Sequence, residues 1–395
     1  MNETPIIDSF LATAVRAVRA NVPAPWSLPS HSDWETVWRR IEFHGIPFLL
    51  HTQSQLLADW PAQLLARIEE EARLVGLWEA THHKAVSALV EELARAGIPS
   101  VIMKGTALAY SLHDQPATRR RGDTDLIIYP GDKSRTRTVM EKLGWYRKQD
   151  PHGLYYQEGW LHDAANFFRH SIDLHWDVSD APILQRCLPI GEFFADKTAM
   201  PRLGPGAFRP NFALMILHAA INQKTHAQFG YASEAGRLTH PRRLIWSIDF
   251  DLLINQLQPS DWERLYTHCE HHAVGPLVAE ALRGMVDDLH TQLPADTLSR
   301  LDAKPLDPAL RDYLSNTDKL SIFWTDLRTA SSLGERLRLL KMRAFPPRWH
   351  LLEKYPAATA WPTMALQGRL LLETAQRAVW PIRLAKRPPE RTKSE

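Results

Sequence analysis

Cysteine is scarce in this chain: Cys187 and Cys269 are the only two among 395 residues. Two thiols so far apart build neither a disulfide framework nor a CxxC zinc site, so a reducing compartment is expected. Long apolar runs are missing too. No stretch reaches the ~18 uncharged apolar residues of a membrane span, and the N-terminal MNETPIIDSFLATAVRAVRA lacks a basic region followed by a continuous apolar segment. The chain reads as cytoplasmic, with no membrane partner. Charge of one sign is not in excess either, with 47 basic and 45 acidic residues and a net +2. That balance demands neither nucleic acid nor an anionic surface. Repeats of fixed period and GxxxxGK[ST] or GxGxxG phosphate loops are also missing.

What the chain does have is an ordinary globular composition, 44% apolar and 23% charged, which rules out wholesale disorder. Apolar residues recur at helical spacing from Ser9 to about Arg95, and Gly97 follows as a helix stop. The pattern then changes. IPSVIM is a short β-rich run, KGTALAYSL reads as a turn into a helix, and DTDLIIY is a strand that ends at Pro130-Gly131. Asp132 stands where a helix cap is needed, and that helix closes near Gly144. WYRKQ, GLYYQE, NFFRH and SIDLHWDV read as four successive short strands. Beyond Pro182 the helical period returns in NFALMILHAAINQ, RRLIWSIDFDLLINQL, DWERLYTHCEHHAVGPLVAEALRGMV and SLGERLRLLKMRAF. The expected division is an N-terminal helical region (1–96), an α/β core (97–180), a helical region (181–345) and a C-terminal extension (346–395) whose last ten residues form a disordered basic tail.

Chemistry concentrates in VIMKGTALAYSLHDQPATRRRGDTDLIIY. Asp123 and Asp125 stand two apart at the start of a strand, so both side chains leave the same face. Converging carboxylates suit a hard divalent cation such as Mg²⁺, although an isolated Asp-x-Asp also serves turns and caps. Lys104-Gly105-Thr106 opens a helix directly after a strand. Glycine permits close backbone approach, Thr106 offers a hydroxyl, and the helix start offers oriented amides to a phosphate. Arg119, Arg120 and Arg121 precede the Asp pair and could hold phosphate oxygens. In SIDLHWDV, Asp173, His175 and Asp177 share one strand face. Asp173 can complete a two-metal site, whereas His175 reads as either a site residue or a structural histidine.

In order and spacing, Lys104-Gly105, Arg119, Gly122-Asp123-Thr124-Asp125 and Asp173-Leu174-His175-Trp176 resemble the nucleotidyltransferase superfamily, of DNA polymerase β-like fold. Within it they are similar to an uncharacterised bacterial family with a Lys-Gly signature. LHAAINQ with His218 and RRLIWSIDFDLLI with Asp249 extend the likeness into the helical half. The resemblance implies an α+β fold, a small mixed nucleotidyltransferase-type sheet flanked by N-terminal helices and a larger C-terminal helical region. It also implies transfer of a nucleoside monophosphate from an NTP, ATP first, to a small-molecule, peptide or protein acceptor, with pyrophosphate released. Asp123, Asp125 and Asp173 would be the catalytic, Mg²⁺-holding carboxylates. Lys104, Gly105, Thr106, Arg119 and Arg121 would bind the nucleotide.

Two other functions fit the same residues. One is a non-catalytic accessory binding protein on this fold. The other is a tRNA-modifying nucleotidyltransferase, for which Arg383, Lys386, Arg387, Arg391 and Lys393 would supply the basic contact. Among the histidines, His268 and His272 stand at i, i+4 on a helix and could share a zinc, but HExxH is absent. Asn222, Lys224 and His226 follow an apolar helix and read either as facing the cleft or as the end of that helix. Trp26, Trp34, Trp60 and Trp78 read as packing anchors.

Overall fold

The computed structural model describes residues 3–29, 33–148, 156–164, 168–233, 236–238, 242–316, 318–346 and 348–385. Four helices lead: α1 (Thr4–Arg19), α2 (Trp34–His44), α3 (Pro47–Thr52) and the long α4 (Ala62–Arg95). Their amphipathic faces meet, and Phe10, Trp26 and Trp60 pack ring to ring at 5.2–5.5 Å. Gly97, at φ +64°, turns the chain out of α4.

The core follows as β1 (Ser100–Met103), α5 (Lys104–Leu112), β2 (Thr124–Ile128), α6 (Lys133–Lys142), β3 (Tyr146–Arg147), β4 (Gln157–Asp163) and β5 (Arg169–His175). The strands form one mixed sheet in the order β1-β2-β5-β4-β3, with β2 and β5 parallel and every other pair antiparallel. Both central strands are rich in buried aliphatics, with Leu126, Ile127, Ile128, Ile172 and Leu174 essentially inaccessible, as strands covered on both faces require. Two details differ from the sequence reading. NFFRH and SIDLHWDV supply one strand rather than two, because Arg169 through His175 pair without interruption against β4. The β4 run is QEGWLHD, and residues 153–155 of GLYYQE lie outside the described residues.

The chain continues through α7 (Pro182–Cys187), α8 (Ile190–Ala195), the hairpin β6 (Thr198–Ala199) and β7 (Phe208–Arg209), α9 (Phe212–Phe229) and the hairpin β8 (Tyr231–Ser233) and β9 (Gly236–Leu238). Helices α10 (Leu244–Ile254), α11 (Pro259–His272), α12 (Gly275–Leu289), α13 (Thr297–Asp302), α14 (Pro308–Ser315) and α15 (Lys319–Thr329) follow. The sequence suggested a continuous helical period across α11 and α12. The structure breaks it at Ala273, whose φ of +51° ends α11, with Pro276 placed in the first turn of α12, where its missing N–H costs nothing. Asn222, Lys224 and His226 likewise sit inside α9, which runs on to Phe229.

Two compact units result, with the boundary inside α15 between Thr325 and Asp326. The first has one continuous apolar core, from Ile7 on α1 to Leu314 on α14. The second contains α16 (Leu333–Ala344), α17 (Arg348–Lys354) and α18 (Thr363–Ala385) around Leu351 and Leu366. The expected tail, 386–395, lies outside the described residues. Among those residues no helix is long and apolar enough to cross a membrane. The fold is therefore α+β, with a mixed five-stranded sheet set among helices and a larger helical region after it.

Under the sheet, α4 supplies a polar knot. His82 is fully buried, flat against Trp78 at 4.4 Å. Its Nε2 lies 2.8 Å from the Thr124 hydroxyl, and its Nδ1 accepts from Arg121 at 3.3 Å. Burial pushes this ring down to about 4, despite the opposing pull of Glu79 and assisted by Arg121. The imidazole is therefore neutral in the fold. As pH falls below the ordinary 6.5, the unfolded chain gains a proton there that the folded one refuses until about 4. The stability this group contributes is complete above the ordinary value and is lost as pH falls through the folded one. In urea unfolding, wild type should lose stability between pH 7 and pH 4, and His82→Gln should lose up to ~3 kcal/mol less over that range, the equivalent of the shift.

Candidate functional site

The register of the sheet brings the carboxylates together. Asp125 pairs with Met103 on β1 and with Asp173 on β5, so β2 carries its acid between the Lys104 junction and the acid of the neighbouring strand. Lys104 Nζ donates to Asp125 Oδ1 at 2.7 Å, and His175 Nε2 lies 2.9 Å from the same oxygen. Asp173 Oδ2 accepts from Gln157 of β4 at 3.0 Å. One donor atom each from Asp125, Asp173 and His175 falls within 4.8 Å of the others. Asp123, just ahead of β2, is solvent-exposed and lies outside that triad.

The charges sort themselves accordingly. Burial opposes the Asp125 charge, but Lys104 and the hydrogen bond from His175 outweigh it and hold this carboxyl well below the usual range. Lys104 responds in kind: burial alone would lower it, yet Asp125 and Asp123 hold the ammonium above its ordinary value. Asp123 and Asp173 move the other way. Loss of surrounding water at the half-buried Asp173, and for both the like charge of Asp125, raise them, because three carboxylates near one ammonium cannot all ionise freely. They titrate as a set.

Backbone strain sits at the same corner. Lys104, not Gly105, takes the left-handed conformation, with φ +50°. A non-glycine residue in that region costs ~1–2 kcal/mol. The strain lets β1 run straight into α5 without a turn and aims the ammonium back at β2. No side chain caps the first amides of α5. A Cβ on Gly105 would come into ordinary contact with Arg121 Cβ at 3.4 Å, so Gly105 lies against the arginine loop.

The remaining expected phosphate ligands face inward. The Thr106 hydroxyl is buried, 2.8 Å from that of Thr124, and accepts from Arg121 Nε at 3.1 Å. Arg121 is enclosed by the Glu79 carboxylate at 2.8 Å, the carbonyls of Pro116 and Arg119, and the Trp78 and Tyr110 rings. Tyr110 donates to the same Glu79 oxygen at 2.5 Å. Arg119 is 8% exposed, and its Nε lies 2.8 and 2.9 Å from the two oxygens of Asp249 on α10, itself 3% exposed. Arg120 pairs with Glu71 and Glu42. The run of arginines thus fastens the loop before β2 to α4 and α10 instead of presenting three free cations. Glu79 and His82 had no sequence signal, since their partners lie some forty residues away. Asp177 falls past the end of β5 and accepts from the Val178 amide.

Beside the Lys104-Gly105 corner opens a pocket enclosing about 550 Å³, open solvent included. Met103, Leu108, Met215, Trp246 and Phe250 give it apolar walls, and Arg119, His218, Asn222 and Asp249 give it polar points. Burial and the nearby Lys104 push His218 down to about 3, so it enters the pocket as a neutral ring. The pocket is thus mainly apolar, with a few polar groups, beside a cluster of charge.

The Arg119–Asp249 pair joins the arginine loop to the pocket wall. Removing one partner of a buried pair leaves an uncompensated charge, at a cost of ~3–5 kcal/mol. Asp249→Ala should lose that much stability in urea unfolding, and Arg119→Met/Asp249→Leu should lose clearly less than Asp249→Ala alone.

A search of curated proteins gave no match. The model of a family described as "Uncharacterised nucleotidyltransferase" matches residues 30–283, well over half of the chain, and takes in the whole sheet and α9 and α10 on the pocket side. The chain belongs to that uncharacterised nucleotidyltransferase family.

Proposed function

We propose that the chain moves a nucleoside monophosphate from an NTP, ATP first, to a small-molecule, peptide or protein acceptor, releasing pyrophosphate with the help of Mg²⁺. The observation that carries this reading is the pairing of Asp125 with Asp173 across parallel strands, beside the Lys104 ammonium and the open start of α5. The donor set fits the ion. Mg²⁺ prefers carboxylate oxygens and usually takes one or two from protein, completing its shell with substrate phosphates and water. Asp125, Asp173 and the exposed Asp123 would hold it, and it would neutralise charge developing on the transferred phosphoryl group.

The chain's own groups do the rest. Lys104 and the first amides of α5 bind phosphate oxygens and fix the triphosphate. His175 keeps Asp125 ionised and oriented. The apolar slot between α5, α9 and α10 takes the nucleobase. Arg119, Arg121 and Thr106 act through position, keeping the Asp-x-Asp segment in register with β5. We also retain the division at 1–96, 97–180, 181–345 and 346–395 as a functional one, with 97–180 carrying the chemistry and α9 and α10 of the third region lining the pocket.

One feature favours a second reading, a binding protein without turnover: Lys104 already neutralises Asp125 through the same oxygen that His175 contacts. Titration with each NTP, with and without Mg²⁺, and transfer of an α-labelled nucleotide separate the two. The enzyme reading expects Mg²⁺-dependent binding and transfer, with transfer reduced by more than ~10²-fold in Asp125→Asn, the scale of losing a group that stabilises developing charge. Because Asp123 and Asp173 are held above the ordinary carboxyl value, transfer should rise with pH along its acid limb as they lose protons. Binding indifferent to Mg²⁺, or transfer unchanged in Asp125→Asn, would sink it. The tRNA alternative rests on a basic segment whose side chains lie outside those described.

A further inference from the structure

A different set of side chains, away from β2 and β5, has the composition of a transition-metal site. His268 and His272 are one helical turn apart on α11, so both imidazoles leave the same face. Facing them, α8 supplies Glu192 from its first turn. His268 Nδ1 lies 3.2 Å from one carboxylate oxygen of Glu192, and His272 Nε2 lies 3.6 Å from the other. A donor atom from each of the three falls within 4.8 Å of the other two, and the histidine rings are nearly parallel, 13° apart.

A plain imidazole–carboxylate pair would close a hydrogen bond at such distances. Here, among the described residues, neither Glu192 Oε2 nor His272 Nε2 has a hydrogen-bond partner, although both are shielded from solvent. A buried polar atom left so is unfavourable and calls for a ligand. The spacing says which kind. Around a tetrahedral ion with bonds of ~2.0–2.1 Å, neighbouring donors stand ~3.3–3.4 Å apart; each imidazole lies close to that distance from the carboxylate, His268 from Oε2 and His272 from Oε1, and one donor atom from each residue lies within 4.8 Å of the other two. Two imidazoles and one carboxylate are the donors of a first-row transition ion rather than of Mg²⁺ or Ca²⁺, which take oxygen. Three protein ligands leave a fourth position for water.

We propose that Glu192, His268 and His272 bind Zn²⁺ or a similar first-row divalent ion, at a site composed of different residues from the Asp125–Asp173 cluster. The surroundings suit that role. Arg264 of α11 pairs with Asp196, which follows α8, at 3.2 Å, so the two segments are already held together. The three side chains are 11–29% exposed, which leaves an ion a way in. The ion would act on the pocket through α8, because Phe193, next to Glu192, packs edge-on against the His218 ring at 5.4 Å. Occupancy would therefore stiffen the wall that carries His218.

The test uses tag-free, full-length protein stripped with a chelator and dialysed, then titrated with Co²⁺ as a visible stand-in. One equivalent per chain should produce the intense ligand-field bands of a tetrahedral site, and Zn²⁺ should displace it and raise the melting temperature. His268→Ala, His272→Ala and the near-isosteric Glu192→Gln should each lose the bands and weaken Zn²⁺ binding by at least ~100-fold. Asp125→Asn/Asp173→Asn should retain both. The far-UV spectrum identifies any variant that has failed to fold; should the histidine variants fail, Glu192→Gln decides the matter. The proposal is overturned if wild type shows no tetrahedral bands, if folded Glu192→Gln keeps them, or if they vanish in the Asp125/Asp173 variant instead.

Discussion

The bond between Lys104 and Asp125 is the constraint on which the site depends. Three acids gather where β2 and β5 run side by side, and like charges at that spacing push apart unless a cation sits among them. Lys104 supplies it from a backbone position that is itself unfavourable, φ +50°, at the seam between β1 and α5. Strain of this kind persists only where the surroundings over-determine it. Here β1 is locked to β2 by Met103 opposite Asp125, and the ammonium is locked to Asp125 itself. The same contact therefore joins three elements and sets which of the acids is ionised.

That arrangement needs β2 held without slippage, because a shift of one residue would turn Asp125 into the core and Thr124 out. The loop ahead of the strand supplies the hold. Arg121 is fixed by Glu79 and Thr106, Arg119 by Asp249, and Thr124 by both Thr106 and His82. The partners come from three helices, Glu79 and His82 from α4, Thr106 from α5 and Asp249 from α10, so all three fix the register of one strand. Polar groups in the interior are costly when unmatched, so side chains tied together in this way restrict the arrangements open to the strand.

Much of this was legible in the sequence, and the part that was not has a clear physical reason. Period-two alternation in DTDLII and SIDLH exposed both central strands, and the Lys-Gly junction exposed the start of α5. The pairing of β2 with β5, which makes Asp125 and Asp173 neighbours, could be inferred only through resemblance. Three consecutive cations beside an acidic pair read as phosphate ligands or as a solvated basic loop; their ion-pair partners Glu71, Glu79 and Asp249 were not legible, because they sit in helices whose patterns reveal nothing about charge partners across the fold. The triad of Glu192, His268 and His272 shows the same limit, since an i, i+4 histidine pair is visible along a chain but the third donor is not.

These features suggest why such a small sheet is set among so many helices. In the proposed reading, the half of the site that gathers the carboxylates needs only two strand ends and one helix start, but neither the sheet nor α5 would enclose a nucleoside. Trp246 and Phe250 on α10 and Met215, His218 and Asn222 on α9 build that enclosure. The Arg119–Asp249 pair makes the wall and the Asp-x-Asp strand one mechanical unit. A ligand seated in the slot would therefore bear on the same residues that hold Asp125 in register. Binding in the pocket and alignment of the carboxylates are then coupled through one buried ion pair, without requiring any larger movement of the fold.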